Sequence, residues 1–172
     1  MNFKKFLPVE NYTLKTKLSV EEVRNRIANK IEPKKNFRLT LLGNNSSKPY
    51  EGILVNNKFT ISRIINYRNS FLPVITGSIL NGKEKTMVKI NMQLQKFVLI
   101  FVAFWIGSVV IALVMQILSF LNKSAKTFSL PLIISFGSII FLGLLTFFAF
   151  KKESKISKEF LARLIEGEEL TA

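Results

Sequence analysis

Two stretches of this chain carry no charged side chain, and they limit the available folds more than anything else in it. From Phe97 to Leu121 there are 25 residues whose only polar members are Ser108, Gln116 and Ser119. As a helix this run is roughly 37 Å long, enough to cross a hydrocarbon layer of about 30 Å with some tilt. The second run, Leu130 to Phe150, has 21 residues and makes a helix of roughly 31 Å. A helix in a soluble bundle keeps a polar face, and neither run has one. The expectation is two transmembrane helices, 97–121 and 130–150, joined by a short external loop at 122–129.

Orientation follows from the cations at the ends of the runs. Lys89 and Lys96 precede the first helix, and Lys151, Lys152, Lys155 and Lys158 follow the second, against Lys123 and Lys126 in the loop. Positive-inside reasoning puts both termini in the cytoplasm of a cell with this protein in its inner membrane. Met1 to Pro8 has no apolar stretch of signal-peptide length.

The remaining sequence has a narrow chemical vocabulary. Among 172 residues there is no Asp, His or Cys, and all 11 acids are Glu. Disulfides, thiolate or imidazole metal sites, cysteine nucleophiles and His-based triads are excluded. No Gly-rich phosphate loop, nucleophile elbow or carboxylate pair occurs, so a non-enzymatic protein without cofactor or metal is expected. Of the net charge of +14, residues 1–96 supply +12, from 18 Lys+Arg and six Glu. Beside a membrane such a domain attracts anionic headgroups, by about 1 kcal/mol for each cation near the surface. Tyr50, Phe59 and Tyr67 are too scattered for a nucleic-acid signature.

Residues 1–96 read as a cytoplasmic α+β domain. Asn11 to Leu18 alternates as a strand. Ser19-Val20-Glu21-Glu22 is a capping box opening an amphipathic helix from Val20 to Ile31, stopped before Pro33. Five strand candidates follow, Phe37–Leu42, Tyr50–Val55, Lys58–Tyr67, Leu72–Leu80 and Lys85–Leu94, separated by Asn- and Gly-rich turns. The last has period two, with Val88, Ile90, Met92 and Leu94 inward. In the tail, 151–172, Ile156, Phe160, Leu161, Leu164 and Ile165 form one helical stripe, with Gly167 as the expected C-cap, and this helix is expected to close over the antiparallel sheet.

That order of strand, helix, strands and closing helix resembles the helix-grip (START-like) architecture, with a transmembrane hairpin inserted before the last helix. A small β-barrel carried on two helices, similar to bacterial pleckstrin-homology-type domains, is the alternative. Gly52, Phe59, Ile61, Arg63, the segment Tyr67 to Pro73, and Gly77 together resemble a pattern of uncharacterised small bacterial two-transmembrane-helix membrane proteins with a YRNSFLP-type segment. The resemblance implies the layout and assigns no chemistry.

The segment itself is the candidate site. Arg63, Tyr67, Arg68, Asn69 and Ser70 gather two guanidinium groups and three hydrogen-bonding side chains beside the apolar Phe71 and Leu72. Guanidinium forks suit a phosphate or carboxylate, so one reading is a headgroup or anion site. The favoured reading is a connector whose bend is fixed by an Asn-Ser turn and Pro73. In the apolar runs, Ala103–Gly107 and Ser108–Ala112 are small-xxx-small pairs, and Gly137 and Gly143 offer matching relief for helix packing. Three functions fit. The first is an accessory or scaffold subunit of a membrane complex, with other membrane proteins as partners. The others are a module binding a lipid or other apolar ligand, and an effector that perturbs the membrane by self-association of its hairpin.

Overall fold

A computed structural model describes residues 8–34, 46–67, 69–82, 84–122 and 129–170. The sequence candidate strand 37–42, Arg68, and the loop cations Lys123 and Lys126 lie outside these residues. The chain divides into two compact units, one formed by residues 1–95 with 149–172 and the other by 96–148.

The first unit is α+β. Its elements in the front part are β1 (Val9–Thr16), α1 (Val20–Asn29), β2 (Ile31–Glu32), β3 (Tyr50–Val55), β4 (Lys58–Arg63), β5 (Pro73–Asn81) and β6 (Thr86–Leu94). The short β7 (Glu168–Glu169) completes a seven-stranded sheet in the order β2-β3-β4-β5-β6-β1-β7. Among the described residues every pairing is antiparallel except one, in which Ile31 lies beside Tyr50 and Glu32 beside Glu51 in parallel. The sheet is therefore mixed, not antiparallel throughout. The cause is that α1 ends at Asn29, with Lys30 as its cap, two residues earlier than its apolar stripe suggests, which frees Ile31 and Glu32 to extend along β3.

The start of α1 is built as its sequence dictates. The Glu22 amide donates to Ser19 Oγ at 3.2 Å, and the Ser19 amide donates back to Glu22 Oε2 at 2.8 Å. Val23 and Ile27, four residues apart, are its buried side chains. On β6 the alternation of Val88, Ile90, Met92 and Leu94 inward is complete, and all four are nearly inaccessible.

Two interior glycines adjust the sheet. Gly77 faces Phe59 across β4 and β5, and a Cβ there would lie 2.1 Å from Phe59 Cζ. The missing side chain gives the buried Phe59 ring its place, so an aromatic ring covers the gap a glycine leaves in a strand. Gly52, paired with Ile61, has φ +151°, and a Cβ there would lie 2.1 Å from the Thr60 carbonyl oxygen.

The second unit holds α2 (Lys96–Leu121) and the first part of α3 (Ser129–Leu164). Both helices are long and apolar enough to cross a membrane, and almost none of either apolar stretch is buried within the chain. Ser108 spends its hydroxyl on its own helix, 3.0 Å from the Phe104 carbonyl and 2.9 Å from that of Trp105. Ser138 does the same toward Ser135 at 2.8 Å. A Cβ at Gly107, Gly137 or Gly143 would meet nothing within 4 Å, so within one chain these positions face open space.

Helix α3 runs unbroken for 36 residues where the sequence suggests an apolar helix and a separate tail helix. Its composition changes at Phe150-Lys151, but Lys, Glu and Ser continue a helix as readily as Leu or Phe end an apolar one, and no Pro or Gly intervenes. Its end also differs from expectation. The left-handed residue is Glu166 (φ 50°), with Glu166 N donating to Arg163 O and Gly167 N donating to Ala162 O at 2.9 Å, a Schellman closure. Gly167 lets the chain pass close to β1, since a Cβ there would stand a tight 3.1 Å from Leu14 Cβ. Arg26 steadies the turn by donating to Leu164 O at 3.1 Å and Glu166 Oε1 at 2.6 Å.

Candidate functional site

The side chains that α3 buries in the first unit are Phe150, Glu153, Ser154, Ser157 and Leu161, continued by Ile165 just past its end. They recur every three or four residues along one helical face, with Glu153 and Ser154 adjacent on it. It is rotated from the stripe that the apolar residues mark, and Ile156 is 37% exposed. Half of this buried face is polar, and Glu153 is only 1% exposed.

A buried carboxylate needs compensating charge and hydrogen bonds. Arg63, the last residue of β4, supplies the charge, with its guanidinium 2.5 Å from Glu153 Oε2. Tyr67 donates its hydroxyl to Oε1, and Asn69 Nδ2 lies 3.4 Å from the same oxygen. Asn69 is itself oriented by its Oδ1, which accepts from the Phe71 amide at 2.9 Å. Burial, then the neighbouring Glu153 carboxylate, push the Tyr67 hydroxyl above its ordinary 10.0. Three of the five candidate residues thus converge on one point, and the anion they meet is the protein's own. Ser70 is exposed and forms no hydrogen bond among the described residues, and Arg68 lies outside them.

Beside this clasp stands a second one on β1. Glu10 accepts from Lys151 Nζ at 2.6 Å and from Ser154 Oγ at 2.7 Å, and Ser154 Oγ lies 3.3 Å from Met92 Sδ. Further along, Tyr50 packs on Phe160 with ring centroids 4.9 Å apart, Lys158 sits 4.9 Å over the Tyr12 ring, and Thr16 Oγ1 donates to Ile165 O at 2.6 Å. The second half of α3 is therefore fixed to the sheet along its length by polar contacts as well as apolar ones.

Glu10 gives a pH test. Burial raises its pKa, but the hydrogen bonds from Lys151 and Ser154 and the charges of Lys151 and Lys158 outweigh burial, leaving it below 4.5. A carboxylate depressed in the folded chain stabilises it above the unfolded pKa, and that contribution is lost as pH falls through the folded value. The unfolding midpoint is expected to hold from neutral pH to about pH 5 and to fall below it, with a shallower acid limb in Glu10→Gln. Circular dichroism melts across pH 3–7 check this, and identical acid limbs would contradict it.

Chemically, Glu153 is poorly placed to react. Both its oxygens already accept hydrogen bonds, from Arg63 and Tyr67, and the side chain is buried, so neither oxygen is offered to a substrate. Among the described residues, no three His, Cys, Asp or Glu side chains come together as a metal site. The chain matches no protein-family model, no curated protein and no solved structure.

Proposed function

We propose that this chain is a non-enzymatic, two-span membrane protein that acts as an accessory or scaffold subunit of a membrane complex. Both apolar helices cross the inner membrane, both termini are cytoplasmic, and the basic domain lies against anionic headgroups. The domain has a helix-grip-like arrangement, with the hairpin inserted before the closing part of α3. The observation that carries this reading is the double use of α3. Its first half is apolar and unburied, while its second half is clasped to the sheet through Glu153 and Ser154. A helix built this way carries force or position between a bilayer and a folded domain, which is what a scaffold subunit needs.

The ligand-module reading has less support. The positions that would line a cavity between sheet and helix, including Tyr50, Phe59, Met92 and Leu161, are packed to 2% exposure or less, and Arg63 is paired with Glu153. The effector reading rests on the open positions at Gly107, Gly137 and Gly143, which a second copy could approach. Native mass spectrometry of the tagged chain, extracted from its own membrane in mild detergent, separates the three. Additional polypeptides at defined stoichiometry are expected. A bare 19.6 kDa chain, or one with only a lipid adduct, would overturn the subunit reading. A multiple of that mass would favour the effector.

A further inference from the structure

The helices bury one face of the sheet, and the opposite face carries a different chemistry. The strand registers place Thr13, Lys89, Ser78 and Lys58 in one row across β1, β6, β5 and β4. Thr76 and Thr60 stand side by side in the adjacent row. These residues border an open cavity of about 670 Å³ with no carboxylate in its lining. That volume falls in the range of small-molecule sites, about 300–1,000 Å³.

Charge is distributed unevenly over the unit. Glu10, Glu153, Glu166 and Glu169 are each paired with a cation, at Lys151, Arg63, Arg26 and Lys158. Lys58 and Lys89 are exposed and have no carboxylate or hydrogen-bond partner among the described residues. They flank Ser78 from the two neighbouring strands, so their backbones stand about 10 Å apart. A lysine stem spans about half of that, so both ammonium groups can close over the Ser78 hydroxyl. Two positive point charges on flexible stems, with one hydroxyl donor between them, suit a compact tetrahedral anion.

We propose that the open face of the sheet binds a phosphate group over Ser78, between Lys58 and Lys89. The rest of the ligand is polar and lies along Thr60 and Thr76. The phosphate belongs either to a soluble phosphorylated metabolite or to a phosphomonoester lipid headgroup. This site stands independently of the subunit reading, since it uses neither the clasp nor the apolar helices.

The test uses the full chain in neutral detergent, titrated calorimetrically with inorganic phosphate, and the same chain in phosphatidylcholine nanodiscs with and without phosphatidic acid. Saturable binding of one phosphate per chain is expected. Lys58→Ala and Lys89→Ala should each weaken it about tenfold, the loss of one charge-assisted hydrogen bond. The double variant should abolish it, while Lys17→Ala, an exposed lysine outside the cavity, should change nothing. Circular dichroism melts of each variant confirm folding. Retention of phosphatidic acid that depends on the two lysines, without binding of free phosphate, assigns the headgroup as the source. No binding of either probe, equal binding by the double variant, or equal loss in Lys17→Ala would overturn the proposal.

Discussion

Glu153→Ala is expected to lower the thermal midpoint of the full chain in mild detergent by roughly 10 °C. The substitution removes the acceptor from three donors at once, and leaves Arg63 with a side chain only 24% exposed and no counter-charge. Breaking a buried ion pair from one side costs about 3–5 kcal/mol, because the remaining charge is neither solvated nor paired. At about 2–4 °C per kcal/mol for a chain of this size, that gives the stated shift. The same reasoning predicts that removing both charges costs less than removing one. Arg63→Met combined with Glu153→Met should recover most of the loss, since apolar side chains of similar volume fill the space without a desolvation penalty. Melts followed by circular dichroism, arranged as a double-mutant cycle, measure the coupling directly. If Glu153→Ala melts with the parent chain, the clasp contributes nothing and the reading of α3 as a fixed connection fails with it.

How much of this clasp could be seen in the sequence is instructive. Arg63, Tyr67 and Asn69 belong to the five-residue candidate segment, whose favoured reading is a connector, and the structure brings these three together on Glu153. Their acceptor is not recognisable, because Glu153 is 84–90 residues away and sits on a helix whose face was marked by apolar residues alone. A stripe drawn through Ile156, Phe160 and Leu164 passes over Ser154 and Ser157, which are fully buried. Hydrophobic periodicity finds a buried face only when that face is apolar. Here the helix presents small polar residues to the sheet.

The strands tell the opposite story. Tyr50–Val55 is legible to the residue, and Pro73–Asn81 and Thr86–Leu94 to within a residue at each end, because each alternates against a single core and is closed by turn residues. β4 ends at Arg63 and not at Tyr67, since the residues beyond it turn away to reach Glu153. β2 escapes any periodic argument, since two residues have no period. The capping box of α1 is legible because it is wholly local, four residues that specify their own hydrogen bonds. What the sequence hides is what depends on a distant partner.

Gly52→Ala is expected to be the most damaging single change in the sheet. Gly77 faces a ring that can tilt, but the atoms that an added methyl at Gly52 would strike are backbone, the Thr60 oxygen at 2.1 Å and Ile61 Cα at 2.8 Å. Neither can move without opening the β3–β4 ladder, in which Gly52 and Ile61 are directly paired. The φ of +151° adds strain of about 1–3 kcal/mol for any side chain, before the collision is counted. With loss of pairing around the collision the total should exceed about 4 kcal/mol, in the range that marks a backbone defect and not a packing one. Ile61 is 2% exposed, and Arg63 lies two residues beyond it on the same strand, so the damage should travel. Hydrogen exchange is expected to accelerate first at the amides of β3 and β4, and then at Asn69 and Phe71 as the clasp on Glu153 loosens. Exchange confined to β3 would mean that β4 is held by β5 alone, and that the clasp is mechanically separate from the hairpin that carries Arg63.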